Sequence, residues 1–85
     1  MWYVYCLENR EKDFLYIGST NDLKRRLEEH RNGYSRATKS HLPLHLSAYI
    51  ALDSEVKARK LEKYFKTGSG KAILRKRILQ TEVAV

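Results

Sequence analysis

The chain has 85 residues, room for one small domain and too few for a second folded module. Its 42% hydrophobic content, with one Trp, six Tyr and two Phe, excludes a disordered chain despite 32% charged residues. A formal charge of +7, with 17 Lys and Arg against 10 Asp and Glu, favours a polyanionic partner, and nucleic acid is the commonest one inside cells.

Trp2 to Leu7 is aromatic and β-rich and predicts a first strand, and Phe14 to Ile17 a second. The polar run Glu8 to Asp13 between them makes the pair a hairpin. Asn21 is the expected N-cap of a helix with Asp22 in its first turn, ending near Asn32 with Gly33 available to close it. Tyr34 to Leu42 is polar and turn-like, Pro43 follows, and Leu44 to Leu52 has the composition of a third strand. Asp53 or Ser54 caps a second helix to about Lys66. Gly68-Ser69-Gly70 is expected to break it, and Lys71 to Leu79 forms a third helix. The expected domain spans residues 1-79, an α+β fold of order ββαβαα, with a short tail over residues 80-85.

The positive charge is unevenly placed. Residues 1-20 sum to -1, whereas Lys57 to Arg77 carries nine basic residues against one acid. A surface that serves only solubility is the plain alternative to polyanion binding. Binding to an anionic membrane is less favoured because the helices spread their charge around most of their circumference. The single Cys6 excludes an internal disulfide and fits a buried apolar position. No apolar run of 18 residues or secretory signal is present, so a cytoplasmic protein without membrane contact is expected.

Two helix faces carry polar residues where apolar ones are expected. At about 100° per residue, Leu23, Arg26, Leu27 and His30 share one sector, while Lys24, Glu28, Glu29 and Arg31 lie elsewhere. In the second helix Ala58, Leu61, Glu62 and Phe65 share a face, and Lys57, Arg59, Lys60 and Lys63 project away. Charges at the margin of a core cost several kcal/mol unless they are paired or bound to an ion. Two explanations remain open at this point: an Arg26-Glu62 salt bridge or snorkelling of the long stems to water, or a cleft where Glu62 holds a divalent metal and Arg26 meets phosphate.

Tyr3-Val4-Tyr5 and Tyr16-Ile17-Gly18, with Tyr5 and Tyr16 eleven residues apart, are followed by Ser19-Thr20-Asn21-Asp22-Leu23-Lys24-Arg25-Arg26-Leu27-Glu28-Glu29-His30. This ordered set resembles the GIY-YIG nuclease family, and in particular its small stand-alone URI-type members related to the excinuclease catalytic domain. The match continues through Thr38, Pro43, Ala58, Glu62, Lys66, Gly70 and Lys71. The resemblance implies a three-stranded antiparallel sheet flanked by helices and a phosphodiesterase site using one divalent ion. It makes Tyr5 and Tyr16 the motif tyrosines, Gly18 the motif glycine, Arg26 the helix arginine, His30 the following histidine and Glu62 the metal-binding acid. Two departures stand out. Tyr3 occupies a position where many members have glycine, and no carboxamide follows between Glu62 and Gln80, which leaves one substrate-positioning role unassigned.

The chemistry implied by that resemblance is a metal-dependent endonuclease, expected to act on DNA with low sequence specificity, in DNA repair or processing. One Mg²⁺, or Mn²⁺, on Glu62 is the expected cofactor, because a hard cation that keeps several waters needs few protein oxygens. Arg26 offers phosphate a planar donor fork. A phenol, reference pKa about 10, acts as a base only where its proton or charge is accommodated, so Tyr5 or Tyr16 is the candidate for activating water and His30 for relaying a proton. Lys24, Arg25, Arg31, Arg36, Lys39, Lys66, Lys71, Arg75, Lys76 and Arg77 are the expected backbone contacts, with Tyr34 able to stack on an unpaired base. Trp2, Tyr3, Phe14, Tyr49 and Phe65 are expected in the core, and His41 and His45 have no assigned role. A non-catalytic nucleic-acid-binding module on the same scaffold, or a basic domain docking on an acidic protein, are the competing classes.

Overall fold

The structure, a computed structural model, describes residues 1-79; the expected tail over 80-85 lies outside them. Strand β1 (Trp2–Asn9) pairs with β2 (Phe14–Thr20) on one side and β3 (His45–Leu52) on the other, both antiparallel, giving the sheet order β2-β1-β3. Helix α1 (Leu23–Arg31) follows the hairpin, α2 (Glu55–Phe65) follows β3, and α3 (Gly68–Ile73) continues into a wider π turn over Leu74–Ile78. The α+β order ββαβαα holds, and both hairpin strands run further than the apolar pattern alone suggests.

Strand alternation divides the sheet into two unlike faces. Val4, Cys6 and Ile17 point to the side covered by α2 and α3, where they close a core with Ala58, Phe65 and Leu74; Trp2, Leu15, Ile50, Leu52, Leu61 and Leu79 pack around it. Ala58 and Leu74 are wholly inaccessible. Burying a side chain the size of Leu74 or Phe65 contributes about 1.5–3 kcal/mol, and few such residues share the load in so small a domain. Burial pushes the Cys6 thiol up to about 11, assisted by the Glu8 charge, as suits an inert core residue. The opposite face carries Tyr3, Tyr5, Tyr16 and Gly18 and looks toward α1.

Local chemistry sets the helix ends. Asp22 rather than Asn21 is the N-cap of α1: its carboxylate accepts the Arg25 N–H at 3.1 Å, while the Thr20 hydroxyl accepts the Asp22 N–H at 3.0 Å and turns the chain at the strand exit. At the other end Gly33, with φ of +76°, donates to the His30 carbonyl while Tyr34 donates to that of Glu29. That paired closure needs a left-handed residue, which glycine adopts without strain.

The glycines at 68–70 start α3 instead of separating helices. The break falls at Lys66 and Thr67, where the Thr67 hydroxyl accepts the Gly70 N–H at 3.1 Å and donates to the Tyr64 carbonyl at 2.6 Å. A Cβ on Gly70 would stand 1.8 Å from that carbonyl oxygen, so the glycine serves helix-to-helix approach. Tyr49 also departs from expectation: it is 55% exposed, whereas Trp2, Tyr3 and Phe14 are half-buried and Phe65 is buried. Tyr49 lies on β3, a margin strand whose α1-side face is covered only in part. No helix among the described residues is long and apolar enough to cross a membrane.

Candidate active site

Register builds the site. Tyr5 on β1 faces Gly18 on β2, and the Tyr5 ring crosses the place where a side chain on residue 18 would stand. A Cβ there would lie 2.6 Å from the Tyr5 hydroxyl and 3.0 Å from the Tyr16 ring. The glycine of the second motif is therefore the flat spot that admits two phenols to one patch of sheet.

Helix α1 brings nitrogen donors onto that patch. His30, 1% exposed, has its Nε2 2.9 Å from the Tyr5 hydroxyl and its Nδ1 2.7 Å from the Thr38 hydroxyl. Its ring meets those of Tyr5 and Tyr16 at centroid separations of 5.7 and 5.2 Å. Burial and the Arg26 charge hold its pKa below the ordinary histidine value, against the pull of Glu29, so it is neutral near pH 7. A neutral imidazole donates at one nitrogen and accepts at the other, which links Tyr5, His30 and Thr38 in a single hydrogen-bonded chain.

Burial pushes the Tyr5 phenol up to about 12, with Tyr16 adding to the rise and Arg26 opposing it. Burial works against the charged form of Arg26 too, but Glu29 and the Tyr5 phenol outweigh it and raise its pKa. The partner of Arg26 is Glu29 at 2.9 Å, one helical turn along, and not Glu62. Glu29 thus lies closer to the site than the helix pattern suggests. The i, i+3 spacing of Arg26 and Glu29 is the signal that identifies the pair. The Arg26 side chain remains 31% exposed, so it reaches the surface beside the phenols.

Glu62 arrives from the other side of the sheet. It projects from α2 and accepts the Ser19 hydroxyl at 2.5 Å, one residue beyond Gly18 on β2. β2 is a margin strand, so Glu62 on its α2 side and the phenols on its α1 side are separated by a single strand. The Glu62 charge is felt at Tyr5, where it adds to the rise in pKa. Burial tends to raise the pKa of Glu62, but the Lys66 ammonium at 2.6 Å and the Ser19 hydroxyl outweigh it and hold the carboxylate ionised. No group of three or more His, Cys, Asp or Glu side chains placed to hold a metal ion occurs among the described residues.

Of the sequence-predicted site residues, Tyr5, Tyr16, Gly18, Arg26 and His30 form one contiguous cluster, and Glu62 abuts it across β2. Thr38 and Ser19 hold that cluster from residues to which the sequence assigned no role. Lys24, Arg25, Arg31, Tyr34, Arg36, Lys39, Lys71, Arg75, Lys76 and Arg77 are all exposed. Lys66 is exposed as well but is committed to Glu62, and Arg25 lies 4.0 Å from Glu29. His41, unassigned from sequence, stacks on Phe14 with a centroid separation of 3.7 Å.

The model of the GIY-YIG catalytic domain matches residues 1–77. A UPF0213 protein of Vibrio parahaemolyticus is 38% identical over 66 residues, covering 76% of this chain and 61% of the relative. One from Streptococcus pyogenes is 42% identical over 65 residues, covering 75% and 70%. The chain therefore spans less than two thirds of the Vibrio relative. The solution structure of a UPF0213 protein from Bacillus halodurans has a TM-score of 0.59 and 29% identity, covering 95% of this chain and 89% of that one. GIY-YIG proteins form an endonuclease superfamily, generally metal-dependent, that acts on nucleic acid. With the motif residues gathered on one sheet and the family model spanning nearly the whole chain, this protein belongs to the GIY-YIG catalytic-domain family.

Proposed function

We propose that the chain is a metal-dependent endonuclease that hydrolyses phosphodiester bonds, with DNA as its substrate and low sequence specificity. The observation that carries this reading is the partly exposed Arg26 side chain beside the two phenols of the β1–β2 pair and the neutral imidazole of α1. Arg26 binds the phosphate and neutralises the charge that grows on its oxygens, in a place partly shielded from water.

Exposure separates the two tyrosines. Tyr5 is 1% exposed, bound to His30 and protonated up to about pH 12, so it orients and donates. Tyr16 is half-buried and reachable by water, so it takes the role of general base toward the attacking water. His30 and Thr38 fix Tyr5, and the tilted imidazole ring packs against Tyr16.

Glu62, an ionised oxygen donor beside the β2 margin, suits one hard divalent cation such as Mg²⁺ or Mn²⁺ that retains most of its waters. When bound, the ion supplies a Lewis acid for phosphate and leaving-group oxygens. Lys66 shares that carboxylate, and its exposed flexible stem lets it move aside. The same ion pair favours a second reading, a binding-only module in which Lys66 permanently fills the position of the metal.

Incubating labelled single- and double-stranded DNA with Mg²⁺ or Mn²⁺ distinguishes the two. Cleavage by the wild type that disappears in Glu62→Ala and in Arg26→Ala supports the nuclease. Equal cleavage by all three proteins refutes the site, and salt-sensitive binding without cleavage leaves the binding module.

A further inference from the structure

We propose that the cleft between α1 and the Tyr3–Tyr49 pair is a stacking subsite for an unpaired nucleobase adjacent to the phosphate at Arg26, making single-stranded or frayed nucleic acid the substrate class. This rests on the phosphate site argued above and specifies what that site accepts.

Tyr49 on β3 lies directly opposite Tyr5, which on its other side lies opposite Gly18. Opposed residues in antiparallel strands share a face, so Gly18, Tyr5 and Tyr49 form a row across the sheet about 10 Å long, two interstrand spacings. At its far end Tyr49 is 55% exposed. Its ring meets Tyr3 edge-on, with centroids 6.1 Å apart and an interplanar angle of 65°, so a flat face stays open to a stacking partner. Tyr3 is the residue that replaces the glycine of the first motif.

The two rings and α1 enclose an open cleft of about 490 Å³, lined also by Leu23, Leu27 and Lys24. That volume falls within the range of small-molecule sites, about 300–1,000 Å³. The rings and the two leucines suit a base, and Lys24, which lines the cleft with Asn21, suits its phosphate. Asp22 also lines the cleft, but its carboxylate is engaged by the Arg25 N–H as the helix cap. A duplex stacks its bases on one another and offers no free ring face away from its ends. An aromatic platform next to the phosphate site therefore selects the unpaired strand.

Fluorescence anisotropy tests the inference in a Glu62→Ala background, where no cleavage intrudes. Fluorescein-labelled oligothymidylate, oligouridylate and a duplex are titrated with the parent, Tyr49→Phe, Tyr49→Ala and, as a matched loss of an exposed ring on α2, Tyr64→Ala. The expected result is a loss of roughly ten-fold in single-strand affinity for Tyr49→Ala alone, with duplex binding unchanged and Tyr49→Phe close to the parent. Oligodeoxyuridylate, which differs from oligouridylate only in the 2′-hydroxyl, identifies the sugar preference. An abasic nucleotide should weaken binding to the parent and have little further effect on Tyr49→Ala. Equal effects on duplex and single strand, or none on either, overturn the subsite. Because the readout is binding, a wild type that fails to cut removes the nuclease reading without deciding this one.

Discussion

The two faces of the sheet solve opposite problems. On the α2 side, Val4, Cys6, Ile17, Ala58, Phe65 and Leu74 exclude water and contain no polar side chain. On the α1 side, Tyr5 and His30 are equally inaccessible at 1% each, yet every buried polar side-chain atom among the described residues has a partner. Such a network is costly when incomplete, because each orphaned group loses its hydration without replacement. The comparison shows one small sheet with an apolar face packed on α2 and a fully hydrogen-bonded polar face toward α1, and Glu62 bonded to Ser19 on the margin strand between them.

Paired substitutions break that comparison most sharply. Tyr16→Phe should reduce cleavage by about 100-fold or more, a general-base loss, with little change in melting temperature. Leu74→Ala should do the reverse, costing about 2–5 kcal/mol by denaturant titration while the remaining folded fraction cuts normally. A Tyr16→Phe protein that cuts as well as wild type removes the assigned base.

Gly18→Ala joins the two effects, because its Cβ would collide with the Tyr5 hydroxyl. A loss of about 1–3 kcal/mol in stability is expected, accompanied by a drop in cleavage per folded molecule. Unchanged stability would show that the close approach of Tyr5 is not needed.

Acid titration sharpens the contrast further. The folded pKa of His30 is held below its ordinary value of 6.5, so folding favours the neutral ring. Its contribution to stability is complete above that value and is lost as pH falls from 6.5 through the lower folded pKa. His30→Gln should flatten this part of the stability profile. The loss due to Glu62 should persist, since its depressed pKa places it below the ordinary 4.5. A wild-type profile flat down to that point would contradict the buried neutral imidazole.

The smallest expected effect lies on the surface. Replacing Lys76 or Arg77 by Gln should weaken binding uniformly across sequences and reduce the slope of log affinity against log salt by about 1 for each phosphate no longer neutralised. A change in sequence preference would instead reveal base readout.

Much of this molecule is determined locally and is therefore legible in its sequence. Alternation along Trp2 to Leu7, the 3.6-residue stripe of α2 and the inward Arg26, His30 and Glu62 depend on residues close together in the chain. The motif tyrosines and Gly18 are likewise visible as an ordered set. Near neighbours can also mislead: Asn21 and Asp22 compete as caps, and the Thr20 hydroxyl decides between them. Glycines at 68 and 70 suggest a break until Gly70 is seen against the Tyr64 carbonyl. The Arg26–Glu29 and Glu62–Lys66 pairs are local, at i, i+3 and i, i+4, whereas tertiary structure alone decided that Glu62 also takes Ser19, that Thr38 supports His30, and that Tyr49 stands at the surface. Strand register and helix docking set those outcomes, and they bring together groups as distant in sequence as Ser19 and Glu62, which no local periodicity encodes.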